Sequence, residues 1–350
     1  MRDGAGRFFL AIFLLGFALF CVACDPFASD ENINIGMEAL AAQEYDAALT
    51  AFAVATAAGE DGRLIQRGIA IAQMGRMQYR EALDTFKKAL SYGGGVPDRI
   101  DFDINYYMAS AFYLLGEKDA AIDTYDAILA LRANEGDAYY LRGAIYVEQG
   151  RIEEALADFD RSLAIHGSGD GRLIDIYQIL AEGGYRQTGE EYLWQALDED
   201  MRRLENFERG RIYFFLGDYE NARMHLERAR GTSYEAVLYL GKTYEVLGDF
   251  NYAVSVYSTY LDDGNPSPHI YNQLGVCRLK MNDYEGALAA FLGGMAVEDN
   301  DILQTLRFNE IVTYEFLGDF TKAAVLMDAY VREYPGDQIA ERENYFLRSR

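Results

Sequence analysis

Across residues 29–337 one apolar arrangement keeps returning. An alanine is followed four residues later by a large apolar side chain. The pairs are Ala48/Phe52, Ala82/Phe86, Ala121/Tyr125, Ala155/Phe159, Ala222/Leu226, Ala253/Tyr257, Ala287/Phe291 and Ala323/Met327. A spacing of four puts both members on one face of a helix. The intervals between successive alanines are 34, 39, 34, 67, 31, 34 and 36 residues. The interval of 67, between Ala155 and Ala222, holds two periods, so it predicts one degenerate unit near residues 170–200. A period near 34 accommodates two helices and a turn.

The segments ahead of each pair predict that turn. FLGDYENA (215–222), VLGDFNYA (246–253), KMNDYEGA (280–287) and FLGDFTKA (316–323) align, and LLGEKDAA (114–121) and EQGRIEEA (148–155) share their phase. Gly217, Gly248 and Gly318 stand where a first helix must stop in a left-handed conformation, and Asn282 replaces glycine at the fourth turn. Asp218, Asp249, Asp283 and Asp319 follow at once as caps for the second helix. Tyr219, Phe250, Tyr284 and Phe320 are then expected to fold into the hairpin core. Gly143, Gly210, Gly241 and Gly275 mark a small position in the first helices, where the two helices approach closely.

Three places depart from this frame. Gly75 and Tyr79 are four residues apart rather than two, which predicts a longer turn in the second hairpin. SYGGGVPDR (91–99) reads as an exposed loop. The fifth hairpin, Arg172 to Leu197, lacks the Gly-Asp-aromatic turn, carries Trp194 and follows GSGDG (167–171), which predicts a local bend or a specialised place. Beyond Pro335, Ile339 to Leu347 predict a capping helix with charged outer residues.

The period and the small/aromatic turn pattern resemble the tetratricopeptide repeat family. The resemblance implies an all-α fold: a right-handed α-solenoid of about nine helix–turn–helix repeats over residues 34–337, capped by residues 338–350. It also implies a non-catalytic scaffold that binds protein or peptide along its first helices. The fifth and ninth positions of those helices commonly face the concave groove in the family. Here the fifth positions are Tyr106, Tyr140, Phe207, Leu238, Asn272 and Phe308, and the ninth are Ser110, Ala144, Arg211, Lys242, Val276 and Val312. Tyr106, Tyr140, Phe207, Arg211, Lys242, Asn272 and Phe308 are the groove candidates. Arg211 and Lys242, two cations on one wall, could hold a carboxylate. The competing reading is that the aromatics complete packing between hairpins and that both cations pair with nearby acids.

Composition sharpens this. Of 350 residues, half are apolar and only 5 are proline, which favours helices. The formal charge of −24 argues against nucleic acid and anionic lipid headgroups, which need a basic footprint, and fits a rod kept dispersed by its own charge. The N-terminus reads as an address. Arg2 and Arg7 precede an uncharged run, residues 8–24, that is short for a membrane span of about 20 residues. Its end, Cys21-Val22-Ala23-Cys24, resembles a bacterial lipobox, departing from it at Cys21 where leucine is usual. The resemblance implies cleavage of residues 1–23, acylation of Cys24, a short tether over 24–33 and a place outside the cytoplasm in the cell envelope. An uncleaved N-terminal anchor is the alternative. Asp25 resembles an inner-membrane retention signal of some Gram-negative bacteria.

No catalytic or cofactor motif emerges. His166, His225 and His269 are scattered, and no zinc or disulfide framework can be built from Cys21, Cys24 and Cys277. GSGDG lacks the spacing and lysine of a phosphate loop, and no GxSxG elbow is present. Asp101 to Asn105 start like a calcium loop, but Tyr106 occupies its obligatory glycine position. Cys277 is expected to be a packed hydrophobe. These residues point to a membrane-tethered scaffold without metal or cofactor. The other classes are solute or glycan capture on aromatic platforms, and an assembly or secretion accessory acting through convex faces.

Overall fold

The computed structural model describes residues 30–166, 171–199, 204–231, 233–298 and 300–349. Residues 1–29, on which the expected signal segment and Cys24 fall, and residues 167–170 of the GSGDG stretch lie outside the described residues. Every regular element among the described residues is an α-helix, and the nineteen helices form nine hairpins and a closing helix. The hairpins are α1/α2 (Glu31–Ala41, Tyr45–Ala58), α3/α4 (Gly62–Gly75, Tyr79–Leu90), α5/α6 (Arg99–Leu114, Lys118–Leu131), α7/α8 (Gly136–Glu148, Ile152–His166) and α9/α10 (Arg172–Glu182, Arg186–Glu199). Then come α11/α12 (Asn206–Leu216, Tyr219–Ala229), α13/α14 (Tyr234–Val246, Phe250–Asp262), α15/α16 (Pro268–Lys280, Tyr284–Met295), α17/α18 (Leu303–Phe316, Phe320–Glu333) and α19 (Gln338–Arg348). Helix α1 starts three residues ahead of the boundary expected at 34, and Ile33 is already buried.

The chain forms two compact units, Met1–Tyr192 and Leu193–Arg350. Within each, a helix packs against its hairpin partner and against the next hairpin. This is how a repeat that cannot bury its apolar face alone becomes stable.

One left-handed residue stands in every hairpin turn: Gln43, Met77, Gly116, Gly150, Gly184, Gly217, Gly248, Asn282 and Gly318. The second turn is therefore not longer than the others, contrary to the reading of Gly75 and Tyr79. Met77 (φ 60°) takes the place of glycine two residues before Tyr79. Gln78 N–H donates to Gln73 O at 2.8 Å, as Asp218 N–H does to Tyr213 O at 3.0 Å, closing the same helix-ending loop. Gly75 instead belongs to α3, where an added Cβ would lie 2.1 Å from the Tyr45 ring. A left-handed conformation costs a residue with a Cβ about 1–2 kcal/mol. Met77 is 76% exposed, so its side chain recovers little of that by packing. Met77→Gly is expected to stabilise the chain by about 0.5–1 kcal/mol in urea unfolding, after the extra chain entropy of glycine. A loss of stability would show that the methionine contributes something beyond its backbone.

The four aspartates cap as expected: each accepts a backbone N–H three residues on, from Asn221, Tyr252, Gly286 and Lys322. Tyr219, Phe250, Tyr284 and Phe320 are half-buried at the core margin rather than inside it. Tyr284, for example, stacks on Phe316 of the next hairpin, with ring centroids 5.3 Å apart.

The degenerate hairpin keeps the phase. Gly184 holds its turn, with Tyr185 N–H donating to Leu180 O at 2.7 Å. Its alanine position is Gly189, where a Cβ would meet Tyr177 Cδ2 at 3.1 Å. Large and small have changed places: the first helix supplies the bulk, as Tyr177, and the second helix supplies the gap. This swap hid the repeat from the alanine count.

Helix α5 begins one residue inside the expected loop because Asp98 caps it. Asp98 accepts from Ile100 N–H and Asp101 N–H, and Asp101 takes the Asp98 N–H at 3.0 Å. Asp101 to Asn105 are thus the first turns of a helix. The loop before them walls a cleft of about 290 Å³ lined by Val96, Phe102, Ile128 and Leu131 among others. The closing helix also differs from expectation. Beside Glu341 and Arg342, its outer surface carries Ile339, Tyr345 and Phe346, all exposed, while Ala340 and Leu347 face inward.

Candidate functional site

The groove candidates separate into buried and accessible sets. Tyr106 and Tyr140 are each only 7% exposed and serve as core. Tyr106 packs edge-on against Tyr125 at 6.0 Å, and Tyr140 tilts against Phe159 at 6.3 Å. Burial drives both phenols far above their ordinary range, Tyr106 with help from Glu135 and Asp137. They offer little surface to a ligand, which corrects their assignment to the groove. The reason is the next hairpin: it closes over a fifth-position ring that a single helix would leave bare.

Three cations on the first helices of unit 1, Arg63, Arg67 and Arg172, are neutralised by acids on or just ahead of a neighbouring first helix. Arg63 forks onto Asp98, with Nη1–Oδ2 at 2.6 Å, and also binds Asp101. Arg67 pairs with Asp103, and Arg172 with Asp137 at 2.6 Å.

In unit 2 the pattern changes. Phe207, Arg211 and Phe214 line one face of α11, spaced by four and three residues. Tyr239 and Lys242 lie on α13. The Tyr239 ring centre is 6.4 Å from that of Phe207, 5.4 Å from Phe214 and 6.0 Å from Phe215. The Arg211 guanidinium carbon lies 5.2 Å from the Phe207 ring centre and 5.3 Å from that of Tyr239. Lys242 Nζ lies 5.8 Å from the same Tyr239 ring. Both cations thus lie near the Tyr239 ring, whose quadrupole attracts each of them.

Neither cation has a carboxylate partner among the described residues, and Arg211 Nε is covered without any acceptor. Burial lowers the Lys242 pKa, and Glu245 only partly offsets this. Glu245 itself accepts from the Tyr257 hydroxyl at 2.9 Å and from Lys280 Nζ at 2.7 Å. Farther along unit 2, Asn272 accepts from Asn309 Nδ2 at 2.8 Å, and Phe308 packs edge-on against Tyr330 at 5.8 Å. Asn272 and Phe308 are half-buried and are not brought into contact with the Arg211 cluster by any of these interactions. Sequence reading missed Phe214, Phe215 and Tyr239. A helical count of three and four from Arg211 and Lys242 would have reached Phe214, Phe215 and Tyr239.

The remaining reactive groups have structural surroundings. Cys277 is fully buried, and burial, with Glu245 nearby, pushes its thiol up to about 11. His225 Nδ1 lies 3.0 Å from Asn206 Oδ1 and its ring stacks on Tyr213, while His269 meets Asp301 at 3.1 Å. Among the described residues no three His, Cys, Asp or Glu side chains gather as metal ligands, and no helix is long and apolar enough to cross a membrane.

Comparison with known proteins follows the same lines. The tetratricopeptide repeat family profile matches residues 67–136, 106–170 and 207–268. A TPR repeat-containing protein of Methanocaldococcus jannaschii is 24% identical over 256 residues, covering 67% of this chain and 42% of that protein. A BBSome complex member of Bos taurus is 24% identical over 186 residues, covering 52% of this chain and 36% of that protein. The chain thus spans less than half the length of either relative. Among solved structures, a tetratricopeptide repeat protein from Parabacteroides merdae is similar with a TM-score of 0.42 and 17% identity, over 81% of this chain and 98% of that one. The repeated helical hairpins and the match to the family agree: residues 67–170 and 207–268 carry tetratricopeptide repeats.

Proposed function

We infer that the chain is a non-catalytic binding scaffold that holds a protein segment along the first helices of unit 2, tethered outside the cytoplasm through a lipid on Cys24. The observation that carries the groove is the Phe207–Arg211–Tyr239–Lys242 cluster. There, half-buried cations and rings stand together without the acids that neutralise their counterparts in unit 1. A row of accessible aromatic and apolar groups of this kind is unusual without a partner. The tether rests on the basic start, the uncharged run at residues 8–24 and the Ala23-Cys24 boundary.

Photo-crosslinking residues test the groove. Placed at Leu238 and Asn272 on first helices, they should capture a discrete partner in cell envelopes. Placed at Met224 and Val325, exposed on second helices, they should not. Capture only from Met224 and Val325 would move binding to the opposite faces. Mass spectrometry of the mature N-terminus tests the tether: a diacyl- or triacyl-cysteine at residue 24 is expected, and an intact Met1 rejects it.

A further inference from the structure

We propose that the outer face of α19 joins two copies of this chain as an antiparallel pair of helices related by a two-fold axis. This goes beyond the scaffold reading and does not depend on it. Three observations lead there.

The first is what α19 shows to solvent. A terminal repeat keeps a solenoid soluble by turning a polar face outward. Here Ile339 is 63% exposed, Tyr345 80% and Phe346 40%. Three large apolar side chains left bare on one eleven-residue helix are the mark of a contact surface.

The second is that this face cannot turn away. Ala340 and Leu347 belong to the core cluster of Ile311, Met327 and Tyr330, and Asn344 is buried beside them. Arg348 grips Asp328 of α18, with Nη2–Oδ1 at 2.5 Å. These contacts fix the helix about its own axis. Ile339, Arg342, Glu343 and Phe346, spaced by three, one and three residues, then form a single stripe about a third of a turn from the buried one.

The third is the order of that stripe: apolar, positive, negative, apolar. A two-fold axis between residues 342 and 343 lays Ile339 of one copy on Phe346 of the other, and Arg342 of one on Glu343 of the other, each twice. A parallel pairing would instead set each charge against its own kind. Such self-complementarity is what an isologous contact between identical chains requires. Neither Arg342 nor Glu343 has an ion-pair partner among the described residues, whereas Arg348 has one. The charges of α19, Glu341, Arg342, Glu343 and Arg348, sum to zero. Two copies can therefore meet here although each carries −24, because charges beyond about 8 Å are largely screened at physiological salt.

Sedimentation equilibrium of the full chain, in detergent matched in density to the solvent, tests the pair. The stripe is small, so the dimer should be weak and should emerge as the concentration rises toward about 500 μM. Arg342→Glu and Glu343→Arg should each weaken it about tenfold or more, since each replaces two attractive pairs by two repulsive ones. An equimolar mixture of these two variants should restore the dimer, because every charge again faces its opposite. The double variant Arg342→Glu with Glu343→Arg should restore it too. Glu341→Arg makes the same charge change on another side of the helix and should alter the dimer less than about threefold. All three positions are exposed or half-buried, and far-UV circular dichroism establishes that each variant is folded. The mass of a single chain at every concentration overturns the proposal. Association that none of these variants changes would seat the contact elsewhere and overturn it as well. So would a loss in the single variants that the mixture fails to restore. If the chain stays monomeric while a photo-crosslinking residue at Phe346 captures another envelope protein, the face belongs to that protein and not to a second copy.

Discussion

Gly241→Ala will destabilise unit 2 by about 2–3 kcal/mol, a large loss for one methyl group on a helix, where alanine is intrinsically the better residue. An added Cβ would lie 2.2 Å from two carbons of the Tyr257 ring. That ring has no room to withdraw: it is fully buried, and its hydroxyl is fixed on Glu245 at 2.9 Å. The same opposition recurs along the chain. Aromatic rings at the equivalent second-helix position stand opposite glycine or alanine: Phe52 opposite Gly36, Phe159 opposite Gly143 and Phe291 opposite Gly275. Where the first helix carries Ile311 instead, the second helix carries Met327, which is unbranched and fills irregular space. The volume is conserved across the pair rather than at either site. Tyr257→Leu should therefore rescue Gly241→Ala in part, leaving the double variant at least 1 kcal/mol more stable than the two single losses combined. Urea unfolding of the four proteins measures this. Strict additivity would mean that the clash is relieved by backbone movement and not by the ring.

Arg142→Met will cost about 3–5 kcal/mol, whereas Arg142→Met with Asp158→Leu will lie within about 1 kcal/mol of the parent. Arg142 grips Asp158 with both prongs, Nε–Oδ2 at 2.8 Å and Nη2–Oδ1 at 2.6 Å, and also binds Asp126. The Asp158 side chain is only 7% exposed. Removing the guanidinium strands that carboxylate in the hairpin interface, with Asp126 repelling it. Removing both groups leaves apolar side chains in an apolar place. The pH dependence distinguishes this from simple loss of packing. Burial already raises the Asp158 pKa, against the pull of Arg142. A carboxyl raised in the folded state favours folding in acid, and that contribution fades as pH climbs through the raised value. Without Arg142 the folded pKa rises further. The deficit of Arg142→Met should therefore be smallest near about pH 4 and grow toward neutrality, since an unfolded aspartate titrates near there. A deficit that stays constant from acid to neutral pH would assign the cost to the lost contacts of the guanidinium with the Tyr139 and Tyr146 rings rather than to the stranded charge.

The local rules were legible because each repeat restates them. The Ala/large pair, the left-handed stop and the capping aspartate are demands of one helix or one turn. Ala253/Tyr257, Gly248 and Asp249 carry them in adjacent letters, and the structure places them as read. Where a demand was met by an unexpected residue, it passed unseen. Met77 and Gln43 hold turns that glycine usually holds, since exposure there removes any steric objection beyond the backbone cost. Tyr177 and Gly189 exchange roles because packing constrains the sum of two volumes and leaves their order free.

The candidate site was legible in its residues and illegible in its accessibility. Tyr106, Tyr140 and Phe207 occupy the same position of their helices, yet the first two are core and Phe207 is half-buried beside a guanidinium. Arg67 and Arg211 look equally available in the sequence, yet one meets an aspartate 36 residues on and the other meets a lysine's helix. By itself the sequence determined the helices, their turns, their pairing and the phase of the repeats, because those depend on neighbours within a few residues. Tertiary structure alone decided which rings are covered and which charges are cancelled. Those outcomes depend on the register between hairpins, and that register shifts with intervals that vary from 31 to 39 residues along the chain.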